Sequence, residues 1–451
     1  MKKMIKVYVA LAAIATLAFG LFSCSGVGND VNPLALYSPL TPLNSPTLKY
    51  LDLSNAKSLY ISGGSGTSAN KADGISASAS GPDHKKIFKI TDAGYVEEVK
   101  YLDADKKEIS IWNEPCVIEK INDDYIFVGF GYGGFSPNVG WDTVSSYIIR
   151  KLDGAAFDMK NTGTATIHDE NSETWKNASN FHTDKNNNMY YISCDQNFFH
   201  KIVRVDLSGI ASLAGTTVSP STDDIYCFDV DKDGNIIYYG YSVSVSNNKF
   251  KRIRKSNGGI KNISVRNDYW IGLDGCIYYN TNEGQVKVSI DAEGNLSESS
   301  YGTNTDLFFF PHSSYKLDLK NRIIIVYDGY INEVYNPSAN PRRVSLAGIS
   351  LEKIFAANST ENFYYIAGAD NSGNTILIKV NPEDDSWTNL LPDNNYEVYT
   401  FTASETDGIT FNALRMSDGK KIIGKVGING GAVTVIDEES DAQISYLERI
   451  N

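Results

Sequence analysis

Asp229, Asp231 and Asp233 alternate along the run Asp229-Val-Asp231-Lys-Asp233-Gly234. Alternate carboxylates that end at a glycine can wrap oxygens around calcium, because the turn carries successive side chains to one side. The three aspartates are therefore a candidate calcium site. A helix–loop–helix calcium loop needs an acidic residue at its twelfth position, and Gly240 stands there. The competing reading is a polar turn between strands, since Asp, Asn and Gly are the ordinary turn formers. The histidines, at positions 84, 168, 182, 200 and 312, show no metal spacing, and His-Glu-x-x-His is absent. Gly63-Gly-Ser-Gly66 does not make a nucleophile elbow. No phosphate-binding loop or dinucleotide fingerprint leads a strand into a helix. Carboxylates are plentiful, but no pair is marked out for glycoside chemistry. The densest aromatic and glycine region holds Trp112, Tyr132 and Trp141. Flat rings on glycine-rich loops suit sugar rings or partner side chains. The same residues would also pack between strands, with glycines at the turns.

Cys24 has a different chemistry. Lys2, Lys3 and Lys6 precede an apolar stretch, Val7 to Phe22, which ends in Leu21-Phe22-Ser23-Cys24. A basic start and a short apolar run make a secretory signal. The run falls short of the ~20 residues that a transmembrane helix needs. The sequence resembles the bacterial lipoprotein signal family on Leu21, Ser23 and Cys24. Phe22 is bulkier than that family's usual residue. The resemblance implies cleavage before Cys24 and a diacylglycerol on its thiol, so 1–23 would be the signal peptide. Two or more acyl chains, palmitate among them, give stable anchoring where one does not. By the same resemblance, Ser25 in place of Asp favours the outer membrane, on its surface or periplasmic face.

Residues 24–48 hold the anchor and four prolines (33, 39, 42 and 46) among Ser, Asn and Thr. That composition makes a semi-extended tether of about 25–30 Å as a flexible chain, and longer with its prolines. The formal charge of −13 becomes −16 once the three leader lysines are gone. An acidic surface argues against nucleic acid and against adhesion to anionic lipid heads. Cys116, Cys194, Cys227 and Cys276 form no Cys-x-x-Cys pair. In an exported chain they either form one or two disulfides or sit as small apolar residues in strands.

Residues 49–451 show no helical period. Short runs of Tyr, Ile, Val and Phe alternate with Asp, Asn, Gly and Ser, which predicts strands and tight turns. The runs repeat. Asp184-Lys-Asn-Asn-Asn leads into Met189-Tyr-Tyr-Ile192, and Asp231-Lys-Asp-Gly-Asn leads into Ile236-Ile-Tyr-Tyr239. Tyr60, Phe127, Tyr191, Tyr239, Tyr279, Val326, Tyr365 and Phe411 mark the copies, and five of the seven intervals between them lie between 39 and 48 residues. Several strands per period of 40–50 residues is the mark of a β-propeller, and the Asp-x-x-Gly-Asn turn resembles that of bacterial propeller repeats. The fold expected is all-β, a propeller of seven or eight blades with eight favoured by the markers. A β-sandwich pair or a β-solenoid is the alternative. Tyr50 to Leu53 is expected to close the ring against Ala432 to Ile436. Ser62 to Asp83 and Asp158 to Asn180 break the rhythm as long polar loops, where binding usually sits.

Two functions follow from this reading. One is a lipid-anchored scaffold that binds a protein or glycan. The other is an exported carbohydrate-active enzyme with its site at the channel mouth.

Overall fold

In this protein the Tyr-Tyr pairs are what a blade needs to bury both of its faces. Successive side chains of a strand point to opposite sides of the sheet. Tyr190 thus enters one apolar cluster while Tyr191 enters the next. Tyr278 and Tyr279 divide in the same way, as do Tyr364 and Tyr365. A sheet with apolar groups on both faces cannot stay alone in water, so each is sandwiched between two others.

The computed structural model describes residues 48–63, 85–111, 114–131, 143–159, 181–194, 200–208, 215–242, 249–254, 258–262, 269–281, 283–291, 295–303, 315–327, 329–439 and 445–450. Among them are eight four-stranded antiparallel sheets and one of three strands. The sheets are the blades of a β-propeller, numbered here in chain order. The first holds Ala56–Gly63, Lys85–Thr91 and Val96–Glu98. The other seven span 114–158, 182–217, 223–262, 269–302, 315–344, 351–389 and 396–439. Each of these seven is a meander whose first strand is one edge of the sheet. Every marker residue falls in the second strand of its blade, and all but Tyr239 are buried.

Eight apolar clusters fill the eight seams. The cluster of Leu59, Ile61, Ile126 and Val128 joins the first and second blades. The last seam joins Tyr60 and Phe88 of the first blade to Ile423 and Ile436 of the eighth. There the Tyr60 hydroxyl also donates to Asp437 at 2.5 Å. A fully buried side chain of this size contributes about 2–3 kcal/mol, so the seams carry most of the fold's stability.

The ring closes differently from the sequence expectation. Ser445–Arg449 pairs with Ala56–Gly63 and supplies the innermost strand of the first blade. Tyr50–Leu51 instead pairs with Tyr101–Leu102 in the three-stranded sheet, completed by Glu108–Ile109. Thr434–Glu439 is the outer strand of the eighth blade. Both expected strands exist, but the innermost place of the first blade is taken by Ser445–Arg449, from the chain after residue 439.

The meander gives the ring two ends. The turns between first and second strands lie at one end, and consecutive blades touch there. Asp407 pairs with Lys57 at 2.6 Å and with Arg449 at 3.4 Å. The Lys151 ammonium donates to the Arg449 carbonyl. Lys185 meets Lys232 through the backbone and Asp233 through its ammonium. Lys320 bonds to Glu361 and Asn362 to Glu405 in the same manner. This is the turn end. The chain reaches the propeller here too, because Leu51 N–H donates to the Gly154 carbonyl and Ala156 N–H to that of Lys49. Gly154 is required at that contact, since a Cβ there would meet the Leu51 oxygen at 1.9 Å.

Candidate functional site in the channel

The three aspartates of the candidate calcium loop lie at the close of the fourth blade's innermost strand, Asp223–Val230, and in the turn after it. Their carboxylates do not converge. Asp231 closes its own turn: one oxygen accepts the N–H groups of Asp233 and Asn235, and the other accepts the Asn235 amide at 2.8 Å. Asp184, Asp291 and Asp370 hold the Asn four residues on in the same way. The repeated Asp-x-x-Gly-Asn element is thus a self-capping turn. Its fourth residue needs a positive φ, met by Gly234 at +79° and by Asn187 at +62°. Asp233 points elsewhere and pairs with Lys185 at 2.6 Å. Among the described residues no three His, Cys, Asp or Glu groups come together with metal-binding geometry.

Asp229 turns the other way and meets two residues that the sequence did not single out. Its Oδ1 lies 3.3 Å from His182 Nδ1, and its Oδ2 lies 3.9 Å from Lys316 Nζ. His182 opens the innermost strand of the third blade, and Lys316 belongs to that of the sixth, Tyr315–Asp318. The fifth blade intervenes between the fourth and the sixth. Side chains from two innermost strands separated by a whole blade can meet only on the axis side, so the cluster lies in the central channel. The three side chains retain 19–34% exposure, as expected of groups lining a wetted passage. The Phe228 ring stands edge-on to His182, with centroids 4.7 Å apart.

The electrostatics are set by this trio. Burial alone would raise the Asp229 carboxyl. The Lys316 charge and the His182 hydrogen bond outweigh it and hold the carboxyl at about 2. Burial would lower Lys316, but Asp229 and then Asp318 outweigh it and keep the ammonium charged. An ionised Asp229 can only accept, so His182 donates through Nδ1. The Nε2 lone pair is left facing the channel, with no hydrogen-bond partner among the described residues. The set therefore offers a base held in one tautomer, with a fixed positive charge beside it.

The sequence carried a signal for His182 that spacing rules could not detect. His182-Thr-Asp184 occupies the place in its repeat that Asp229-Val-Asp231 occupies in the next, two residues before the capping aspartate. Aligning the repeats on their turns puts the imidazole and the carboxylate at the same level of adjacent blades.

Cys24 lies outside the described residues, as do Trp112, Tyr132 and Trp141. The neighbouring strands are described. Glu114 pairs with Gly131, and Gly131 with Thr143. The strand ends at Glu114, Gly131 and Thr143 lie at the end of the second blade opposite its turns, and the three aromatic residues are within two positions of them in the sequence. The long segment after Gly63 leaves the first blade at that same end, and the one after Asp158 leaves the second there. Of the cysteines, Cys276 has a described side chain; it is a free thiol, half-buried, 3.7 Å from the Ser289 hydroxyl.

No family model matches the chain, and no curated protein matches it. Solved structures do. A streptogramin B lyase structure is 12% identical, with a TM-score of 0.37, covering 67% of this chain and 92% of its own. A putative 6-phosphogluconolactonase from Bacteroides uniformis is 8% identical at a TM-score of 0.40, over 72% of this chain and 100% of its own. The β-propeller domain of the Trilobed protease from Pyrococcus furiosus is 8% identical at a TM-score of 0.40, over 72% and 98%. These proteins are similar to this chain in architecture, at identities that transfer no activity.

Proposed function

We propose that the protein is a lipoprotein of the bacterial cell envelope, held by acyl chains on Cys24, whose propeller is a binding scaffold for a protein or glycan. The observation that carries this reading is the opposition of the two ends. The chain comes to the propeller at the turn end, where Lys49 and Leu51 are fixed to the 154–156 turn. The strand ends at Gly63, Lys85, Asp158, Glu114, Gly131 and Thr143 lie at the other end. A tether from Cys24 would join the propeller at Leu48, next to the turn end in the sequence, and leave the opposite end free for a partner. A rigid scaffold with long loops at one end is how many proteins build recognition surfaces. The acidic balance of the chain favours a protein or glycan over nucleic acid. The outer membrane is the expected location, on either face.

The test is site-specific photo-crosslinking in the native membrane, with the probe at Asn138, between Gly131 and Thr143 in the sequence, or at Asn186 on the turn end. The reading expects a discrete adduct from Asn138 and none from Asn186. Equal adducts from both positions, or adducts from Asn186 alone, contradict it.

A further inference from the structure

We propose that His182, Asp229 and Lys316 form a general acid–base site in the channel that acts on a neutral carbonyl compound, an ester or lactone small enough to enter. The inference rests on geometry that neither the anchor nor the loops supply, so it stands or falls apart from the scaffold reading. Three side chains from three different blades meet on the axis, at 3.3 and 3.9 Å. Asp229 fixes the imidazole by accepting from Nδ1 and so aims Nε2 at the channel. Among the described residues no hydrogen-bond acceptor is found for the Lys316 ammonium, and its ion-pair contact with Asp229, at 3.9 Å, is beyond hydrogen-bond length. Its ammonium hydrogens are therefore free for a substrate oxygen. Phe228 supplies an apolar edge beside the base.

The substrate class follows from the charges. Asp229 and Asp318 both act on Lys316, so the site holds no surplus of positive charge to attract an anion. A neutral carbonyl avoids the carboxylates and still uses the ammonium, because negative charge arises on its oxygen only as the reaction proceeds. Two-carboxylate glycoside chemistry finds no second acid within this trio. The step is hydrolysis. His182 Nε2 takes a proton from water as the water oxygen bonds to the carbonyl carbon. The carbonyl π electrons move to the oxygen beside Lys316. When that pair returns, the carbon–alkoxy bond breaks, and the leaving oxygen takes the proton back from His182. Water and ester become acid and alcohol, with the imidazole restored.

The role of each group is distinct. His182 touches the reacting water, Lys316 the developing oxyanion, and Asp229 is a positioning residue that acts through His182. The test uses the full chain in detergent with p-nitrophenyl acetate as the probe. The wild type should release p-nitrophenolate about 100-fold or more faster than His182→Asn, the usual worth of a positioned base. Asp229→Asn should lower kcat and move the pH midpoint of the rate, because the imidazole loses its fixed partner. Lys316→Met should lower kcat, because the developing oxyanion loses its charged partner. Equal rates for the wild type and His182→Asn, or no release above buffer, overturn the proposal. A second measurement needs no variant. Diethyl pyrocarbonate should modify His182 ahead of His200, whose Nδ1 lies 3.0 Å from Asp224 and whose ring is less exposed. Peptide mass should show activity falling in step with His182. Loss of activity in step with another histidine also overturns the proposal.

Discussion

Glu448 sits on the strand that closes the ring, and its charge is costly there. It is half-buried beside the Lys151 ammonium, which is engaged with the Arg449 carbonyl at 3.1 Å. Burial pushes the Glu448 carboxyl up from 4.5 to about 6, against the smaller opposing pull of Lys151 and Lys120. Lys151 is likewise lowered by burial, more than Glu448 raises it. Both groups are therefore less comfortable charged in the folded protein than in water. The sign follows from the raised carboxyl. Between about pH 4.5 and 6 the folded state binds more protons than the unfolded one, so stability falls as pH rises through that window. The rise from 4.5 to about 6 corresponds to roughly 2 kcal/mol, fully present as a penalty above about pH 6. Glu448→Gln removes the ionisation and keeps the shape. At about pH 8 it should stabilise the protein by up to ~2 kcal/mol, or about 2–3 °C in Tm for a body of this size. At about pH 4.5 the gain should vanish, because the wild-type carboxyl is then protonated in the fold. Thermal melts of both proteins at the two pH values read this directly. A gain that is the same at both pH values, or a loss at high pH, refutes the reasoning.

The remaining predictions concern the seams, the closure and the turns. Phe411 is fully buried in the seam between the seventh and eighth blades, so Phe411→Ala should cost about 3–5 kcal/mol in denaturant unfolding. Gly424 lies against that ring, and a Cβ there would come within 2.5 Å of it. Gly424→Ala should therefore destabilise by about 1–3 kcal/mol through overpacking, and an unchanged midpoint would show that the ring moves freely. Removing residues 445–451 leaves the first blade without its innermost strand; limited proteolysis should then cut the first blade first, and an unchanged cleavage pattern would contradict the closure. Asp229, Asp231 and Asp233 already have separate partners. Calcium at about 1 mM, where extracellular calcium modules bind, should leave Tm unchanged, and a rise of several degrees would mean that the loop rearranges around the ion.

The repeat was legible because each blade must bury both faces. That requirement writes an apolar or aromatic pair into the second strand and a polar self-capping turn nearby, a pattern local enough to read by eye. All eight markers fall on second strands for this reason, including Val326, where an aliphatic residue stands for the ring. The closing strand was not legible. Ser445-Tyr-Leu-Glu-Arg449 is short and carries no turn signature, and its partner is nearly 400 residues away. Only the count of strands per blade shows that one is missing. The candidate site divides in the same way. Asp229 stood out because its neighbours form a recognisable turn, but that turn needs Asp231 for its own hydrogen bonds. His182 shows only when the repeats are aligned on their turns, where it takes the place of Asp229, and Lys316 shares no local motif with either. Both meet Asp229 only through the curvature of the ring, which no linear spacing records.

The central claim is that a propeller is held to a bacterial membrane by lipid on Cys24. Mass spectrometry of the amino-terminal peptide of the mature protein, purified from the membranes of the cells that make it, tests this most directly. The account predicts a chain that begins at Cys24 and carries a thioether-linked diacylglycerol, with Cys24→Ala losing the modification and leaving the membrane fraction. An unmodified Cys24 thiol, or a mature chain that begins anywhere else, would contradict it.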